Sequence, residues 1–205
     1  MRIFDLSYPI HDHMFRFQAD YHPDVQVEQT GTYEKNLCVV HKLTLGTHAG
    51  THVDAPAHFF PDGTTIDNVP LEMLVCEAVR VDLRPTLPLR QIEPEDVARA
   101  EVRPGDSVLL QTGWEDRWGT DFYVDPPALT LIACRQLLDA GAASLAVDFP
   151  LGLDIHREVL GRGKILIENL TGLHALTATR LRLIALPLKI RSGDGAPARV
   201  VAIEE

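Results

Sequence analysis

Cysteine is scarce in this chain, and its three copies, Cys38, Cys76 and Cys134, lie far apart. None stands in a CxxC or beside a histidine in a metal-finger pattern, so all three are expected to be reduced and mostly buried, as small hydrophobes. Long apolar runs are missing: none reaches the roughly 18–20 residues that cross a bilayer. The start, MRIFDLSYPI, has no basic region followed by an apolar one. No signal peptide is therefore expected, and the cytoplasm is the expected location. Positive charge is short as well: 19 Lys and Arg against 29 Asp and Glu leave a formal net charge of −10. Phosphate binding wants a basic stripe, so nucleic acid is not an expected partner, and neither is a membrane. There is no internal repeat and no low-complexity tract.

What remains is an ordinary globular balance, 45% apolar and 23% charged over 205 residues. That length fits one domain, 1–205. Met1–Ile10 reads as a strand running into a turn at Pro9. Residues 11–35 are polar and irregular, and long loops of this kind often carry function. Alternating or apolar runs predict strands at 37–45, 75–83, 105–113, 143–149, 164–170, 181–190 and 198–203. The sequence PEDVARAEV predicts a short helix from residue 94, 127–141 a longer one closed by Gly141, and HREVLGRG another short one. The helix at 127–141 lies between two strands, which suggests a local βαβ unit and a mixed α/β class.

Histidine is the informative residue. Four of the nine histidines fall between residues 41 and 58. The stretch Gly46-Thr47-His48-Ala49-Gly50-Thr51-His52-Val53-Asp54-Ala55-Pro56-Ala57-His58 holds two glycines and a proline, and Thr51 and Val53 are β-branched. A helix is disfavoured, and it would point Asp54 about 160° away from His52. In an extended chain alternate residues share a face, and His48, His52, Asp54 and His58 are all even-numbered. Fully straight, residues 48 and 52 would stand roughly 13 Å apart, so a bend at Gly50 is needed to bring them together. Neutral imidazoles with a carboxylate suit Zn²⁺ or Mn²⁺. Three protein ligands leave a place for water, the mark of a catalytic site, and a fourth group, His58, is then free to move protons.

A second constellation, Asp148, Asp154, His156 and Glu168, falls near two later strands. Glu168 stands on an apolar strand opposite Ile165 and Ile167, and a buried carboxylate needs a partner. A metal is one such partner; an ion pair with Arg162 or Lys164 is the other.

These residues resemble a known family. HAGTHVDAPAH is similar to the HxGTHxDxPxH motif of the cyclase-like metal hydrolases, which include bacterial kynurenine formamidase and isatin hydrolase. FDLSYPI, LQTGW (110–114), HREVLGRGKILIENLTGL (156–173) and LPLKIRSGDGAPARVVAI (186–203) resemble further family segments in the same order. The resemblance implies a swivelling β/β/α fold in a homodimer or larger assembly. It implies that His48, His52 and Asp54 bind one divalent metal, that Asp54 bridges to a second held by His156 and Glu168, and that His58 is the general acid/base. One metal or two per subunit stays open, because some members work with one. The family's pocket tryptophan, in a pattern like MPVWPG, is replaced here by Met14-Phe15-Arg16-Phe17-Gln18-Ala19. Phe15 and Phe17 are therefore candidate substrate-binding residues, and Arg16 a candidate for a substrate carboxylate. The implied activity is hydrolysis of an amide-type C–N bond in a small aromatic or cyclic molecule. The alternatives are a lactone, imide or isatin-type ring opener, or a non-catalytic binding protein on the same scaffold.

Overall fold

A computed structural model describes all residues, Met1–Glu205. Its strands are β1 (Arg2–Asp5), β2 (Gln26–Gly31), β3 (Val40–Thr44), β4 (His52–Asp54), β5 (Val75–Asp82), β6 (Gln91–Ile92), β7 (Ser107–Gln111), β8 (Ala128–Leu129), β9 (Ser144–Val147), β10 (Ile165–Glu168), β11 (Arg180–Pro187) and β12 (Gly195–Glu204). The helices are α1 (Tyr33–Asn36), α2 (Leu71–Leu74), α3 (Pro94–Val97), α4 (Leu131–Asp139) and α5 (Leu153–Gly161). None is long and apolar enough to cross a membrane.

Seven strands close into a barrel in the order β12-β11-β5-β7-β9-β10-β4, and β4 pairs back onto β12. β1 adds to the outer side of β12. The β5–β7, β7–β9 and β9–β10 pairings are parallel, while β4, β11 and β12 run antiparallel to their neighbours. This is the mixed α/β class expected of the family. The βαβ unit is β7-α4-β9.

Alternation sorts the side chains into two cores. Val53, Leu109, Ala146, Ile165 and Ile167 point into the barrel. Val108, Leu110, Leu145, Val147 and Leu166 point outward, under Leu137 of α4 and Ile155 and Leu160 of α5. Both faces of β7, β9 and β10 are covered, so these strands are buried at every position and read as continuous apolar runs. Because Val53 faces inward, His52 and Asp54 must face outward, toward α5. The barrel thus sets the site on its outer wall.

Four local expectations are corrected. Residues 11–35 are not irregular throughout: Gln26–Gly31 forms β2, which pairs antiparallel with β3. The helix expected over 127–141 begins at Leu131, because Ala128–Leu129 pairs with β6 and Thr130 caps the helix by accepting from the Ala133 N–H. Such a cap is worth about 1 kcal/mol. The first strand stops at Asp5. The cysteines are free, but only Cys134 is buried, its thiol pushed up to about 12 by burial; Cys76 is half-buried and Cys38 exposed.

Candidate metal centre

Two strands, a turn and a helix assemble the cluster. On β4, His52 and Asp54 are two apart and share the outer face. β10 lies antiparallel beside β4 with Glu168 opposite His52. His156 sits one turn into α5. His48 is not on the strand. It returns to the cluster through a turn at Gly50, whose φ of 62° lies in the left-handed region, and a Cβ there would also crowd Met14 Cε at 3.0 Å. His58 arrives on the 3₁₀ turn Pro56–His58, which Pro56 starts.

The donor atoms form three sets: two that share Asp54, namely His48, His52 and Asp54, and Asp54, His156 and Glu168, and a third, more exposed one of His48, His58 and Asp194. Asp54 is wholly buried, and its two oxygens face opposite ways. Oδ1 lies 2.6 Å from His48 Nδ1 and 3.1 Å from His52 Nε2. Oδ2 is 3.5 Å from His156 Nε2 and has no hydrogen-bond partner. Glu168 reaches both sides, Oε2 at 3.6 Å from His52 Nε2 and Oε1 at 3.6 Å from His156 Nε2.

The protein dictates which nitrogen of each ring faces inward. His52 Nδ1 lies 2.8 Å from the Gly50 carbonyl and His156 Nδ1 2.9 Å from the Gly152 carbonyl. A carbonyl only accepts, so both Nδ1 atoms carry a proton, and both Nε2 atoms turn inward toward the carboxylates. The Asn169 side chain also donates to the Gly50 carbonyl, at 2.9 Å, which holds that turn against β10. His48 is reversed. Its Nδ1 faces Asp54, and its Nε2 lies 2.7 Å from Asp194 Oδ2. The same Asp194 oxygen is 3.2 Å from His58 Nδ1.

Electrostatics favour a cation at this place. Burial works against charge on His48 and His156, yet the carboxylates around them outweigh it. Asp194 and Asp54 raise His48 to about 10, and Glu168 and Asp54 raise His156 to about 11. Burial likewise opposes an ionised Asp54, but His52, His156 and His48 hold its carboxyl well below the usual range. Hydrogen bonding from His48, then His58, does the same for Asp194. The pocket thus draws positive charge onto its own imidazoles. The unpartnered Asp54 Oδ2, inward-facing Nε2 atoms and carboxylates on both sides make a donor set that fits divalent cations.

A cavity of about 350 Å³ opens over the cluster, its wall formed by Phe17, Tyr21, His22, Phe59, Tyr123 and Leu151. Phe17 is on that wall. Phe15 is one layer behind, stacked on Tyr123 with centroids 5.4 Å apart and edge-on to Trp118. Arg16 is turned away, bonded to Asp24 through Nε at 2.9 Å. Of the second constellation, only His156 and Glu168 join the cluster. Asp148 accepts instead from Thr112 and Gly113, and Asp154 bonds the Ile155 N–H in the first turn of α5. Sequence reasoning missed Tyr123, Phe59 and Asp194. Phe59 follows His58 directly and could have been read from that adjacency. Asp194 offered only its place between Gly193 and Gly195.

Comparison with known proteins bears on the family and the fold. The family described as putative cyclase matches residues 4–151. A kynurenine formamidase from Salinibacter ruber is 34% identical over 196 residues, covering 87% of this chain and 88% of that protein. Isatin hydrolase A from Labrenzia aggregata, solved with benzyl benzoate, superposes with a TM-score of 0.86 at 26% identity, over 98% of this chain and 93% of that one. A potential metal-dependent hydrolase with cyclase activity superposes with a TM-score of 0.81 at 27% identity, over 100% of this chain and 99% of the other.

Proposed function

The chain belongs to the putative cyclase family, and from that premise we propose that it is a metal-dependent hydrolase cleaving the amide-type C–N bond of a small aromatic or cyclic substrate. The observation that carries this reading is Asp54, a buried carboxylate whose two oxygens serve two different donor sets. His48, His52 and Asp54 would hold one divalent ion, and Asp54, His156 and Glu168 a second. Zn²⁺ and Mn²⁺ are the ions such donors suit. A cation held there supplies Lewis acidity, which polarises a carbonyl and acidifies water.

The chain's own groups do the rest. His58 borders both the cluster and the cavity. Its Nε2, the nitrogen not turned toward Asp194, takes a proton from the attacking water and delivers it to the leaving nitrogen. Phe17, Tyr21, Phe59 and Tyr123 offer flat faces to an aromatic ring and keep bulk water from the carbonyl. Burial pushes the Tyr123 phenol up, so it stays neutral, with a hydroxyl on that wall.

The activities named among its relatives set the substrates to try. N-formylkynurenine, isatin and related aryl or cyclic amides should be assayed with Zn²⁺ and with Mn²⁺, alongside elemental analysis of protein purified without added metal. Turnover of at least one substrate is expected, lost on exhaustive chelation and restored by the ion. Activity that survives chelation unchanged would rule out a catalytic metal.

We further propose a homodimer. Every residue of β3 is exposed, and Leu37, Val40 and Leu43 stand open on the β2–β3 hairpin. An isolated two-stranded hairpin is marginal in water, so a second copy covering this arm would stabilise it. Size-exclusion chromatography with light scattering should give twice the chain mass; a monomer at micromolar concentration would remove the proposal.

A further inference from the structure

We propose that Asp194 is a positioning residue for the hydrolysis, a single carboxylate that orients the rings of His48 and His58 together. The inference rests on the reading of His58 as the proton carrier. One oxygen, Oδ2, lies 2.7 Å from His48 Nε2 and 3.2 Å from His58 Nδ1. The two rings pack against each other with centroids 4.0 Å apart. Those imidazoles are also the only ion-pair partners of Asp194, since no Lys or Arg approaches it.

His48 and His58 need such a partner for different reasons. His52 and His156 are oriented by backbone carbonyls through Nδ1. His48 has its Nδ1 turned to Asp54, so its outer nitrogen is Nε2, and the only group bonded there is Asp194. That contact sets which nitrogen of His48 faces the donor cluster. Metal-binding histidines commonly have an outer carboxylate of this kind. His58 has no other side-chain or backbone partner at Nδ1. An acceptor at Nδ1 places the proton there and leaves the Nε2 lone pair facing the substrate, the state a general base requires.

The carboxylate is held by backbone rather than by its own packing, since its side chain is 40% exposed. The Ala55 N–H donates to the Asp194 carbonyl at 2.9 Å, and the Ile66 N–H to the Gly193 carbonyl at 2.8 Å. Gly195 pairs with Asp54 across β12 and β4. A Cβ at Gly193 would come within 2.9 Å of Ile66 Cγ2, and one at Gly195 within 2.7 Å of the Val53 carbonyl oxygen. Gly195 therefore lets the segment seat against β4, and Gly193 lets it pass close to Ile66. The closure of the barrel delivers Asp194 to the site.

The test compares Asp194→Asn and Asp194→Ala with the parent, all loaded with Zn²⁺. Asparagine keeps the shape and one acceptor oxygen; alanine removes both. The expected result is a kcat lower by about 10–100-fold in Asp194→Asn and more in Asp194→Ala, with KM within about twofold. Zn²⁺ stoichiometry should stay at the parent value, while chelator competition shows the ion at the His48 set bound about 10-fold more weakly. Long-range ¹H–¹⁵N spectra, with His58 assigned by its loss in His58→Gln, should show the proton on Nδ1 in the parent and a tautomer mixture in Asp194→Ala. The spectroscopic and affinity arms need no substrate, so they test Asp194 even if the proposed hydrolysis fails. An unchanged kcat with an unchanged tautomer would overturn the proposal. Loss of a whole equivalent of Zn²⁺ would overturn it by making Asp194 a ligand. A fall in kcat that tracks a fall in Tm, with the tautomer intact, would make its role merely structural.

Discussion

Asp54→Asn is expected to remove hydrolysis, by on the order of 10³-fold or more, and to empty both donor sets at once. The substitution is isosteric and leaves the backbone pairing of β4 with β10 and β12 in place. What it removes is the charge shared by the two sets. Oδ1 faces His48 and His52, and Oδ2 faces His156 with no hydrogen bond of its own. An amide puts a neutral oxygen on one side and an NH₂ group, which cannot ligate a cation, on the other. Losing a single preorganised electrostatic group in a reaction centre already costs about 10²–10³-fold, and here the groups that depend on it go too. Glu168→Gln and His156→Ala provide the contrast. Each is a donor only in the set that shares Asp54 on the α5 side, so each should lower bound metal by one equivalent and leave the other. Elemental analysis with far-ultraviolet circular dichroism reads both content and fold. An Asp54→Asn protein that keeps one tightly bound ion and measurable turnover would show that Asp54 does not join the two sets.

The residues that were legible in the sequence are those whose placement is local. His52 and Asp54 obey the parity rule because β4 is a strand and positions two apart share a face. Gly50 bends where the spacing required a bend. Glu168 stood out as a carboxylate on an otherwise apolar strand, and it does lie beside His52. The same parity argument brought in His48 and His58, but they reach the cluster by other means, a left-handed turn and a 3₁₀ turn. Even numbering was shared by all four without being the cause for all four. The βαβ unit was readable from its strand–helix–strand order. The β2–β3 hairpin was not, since Gln26–Gly31 has almost no buried side and hence no hydrophobic alternation to read.

Asp194 shows where such reading stops. It is one acid among 29 Asp and Glu, separated from His48 by 146 positions. Periodicity reports which face a residue takes within its own element. It does not report which distant strand closes a barrel, and the β12–β4 pairing that carries Asp194 to the histidines is such a closure. Phe15 and Phe17 illustrate a subtler limit. Both are aromatic, two apart and in the same loop, yet Phe17 lines the cavity while Phe15 supports Tyr123 from behind. Without strand or helix geometry, sequence spacing carries no facing information.

His58→Gln should lower kcat by about 10²–10⁴-fold, the usual contribution of a positioned proton carrier, while leaving metal content unchanged. The separation follows from position. His58 belongs to neither of the two donor sets that share Asp54, and its Nδ1 is engaged by Asp194 instead. Glutamine preserves polarity and rough size but cannot take up and release a proton near neutral pH. KM should change little, because the aromatic wall that would bind the ring lies on other residues. The discriminating measurement varies the leaving group. An amide nitrogen must be protonated as it departs, whereas an activated phenol leaves as the anion. If His58 delivers that proton, the loss in His58→Gln should be much smaller for an activated aryl ester than for the corresponding anilide. An equal loss on both substrates would restrict His58 to activating the water. No loss on either, with the metal in place, would remove it from the chemistry altogether.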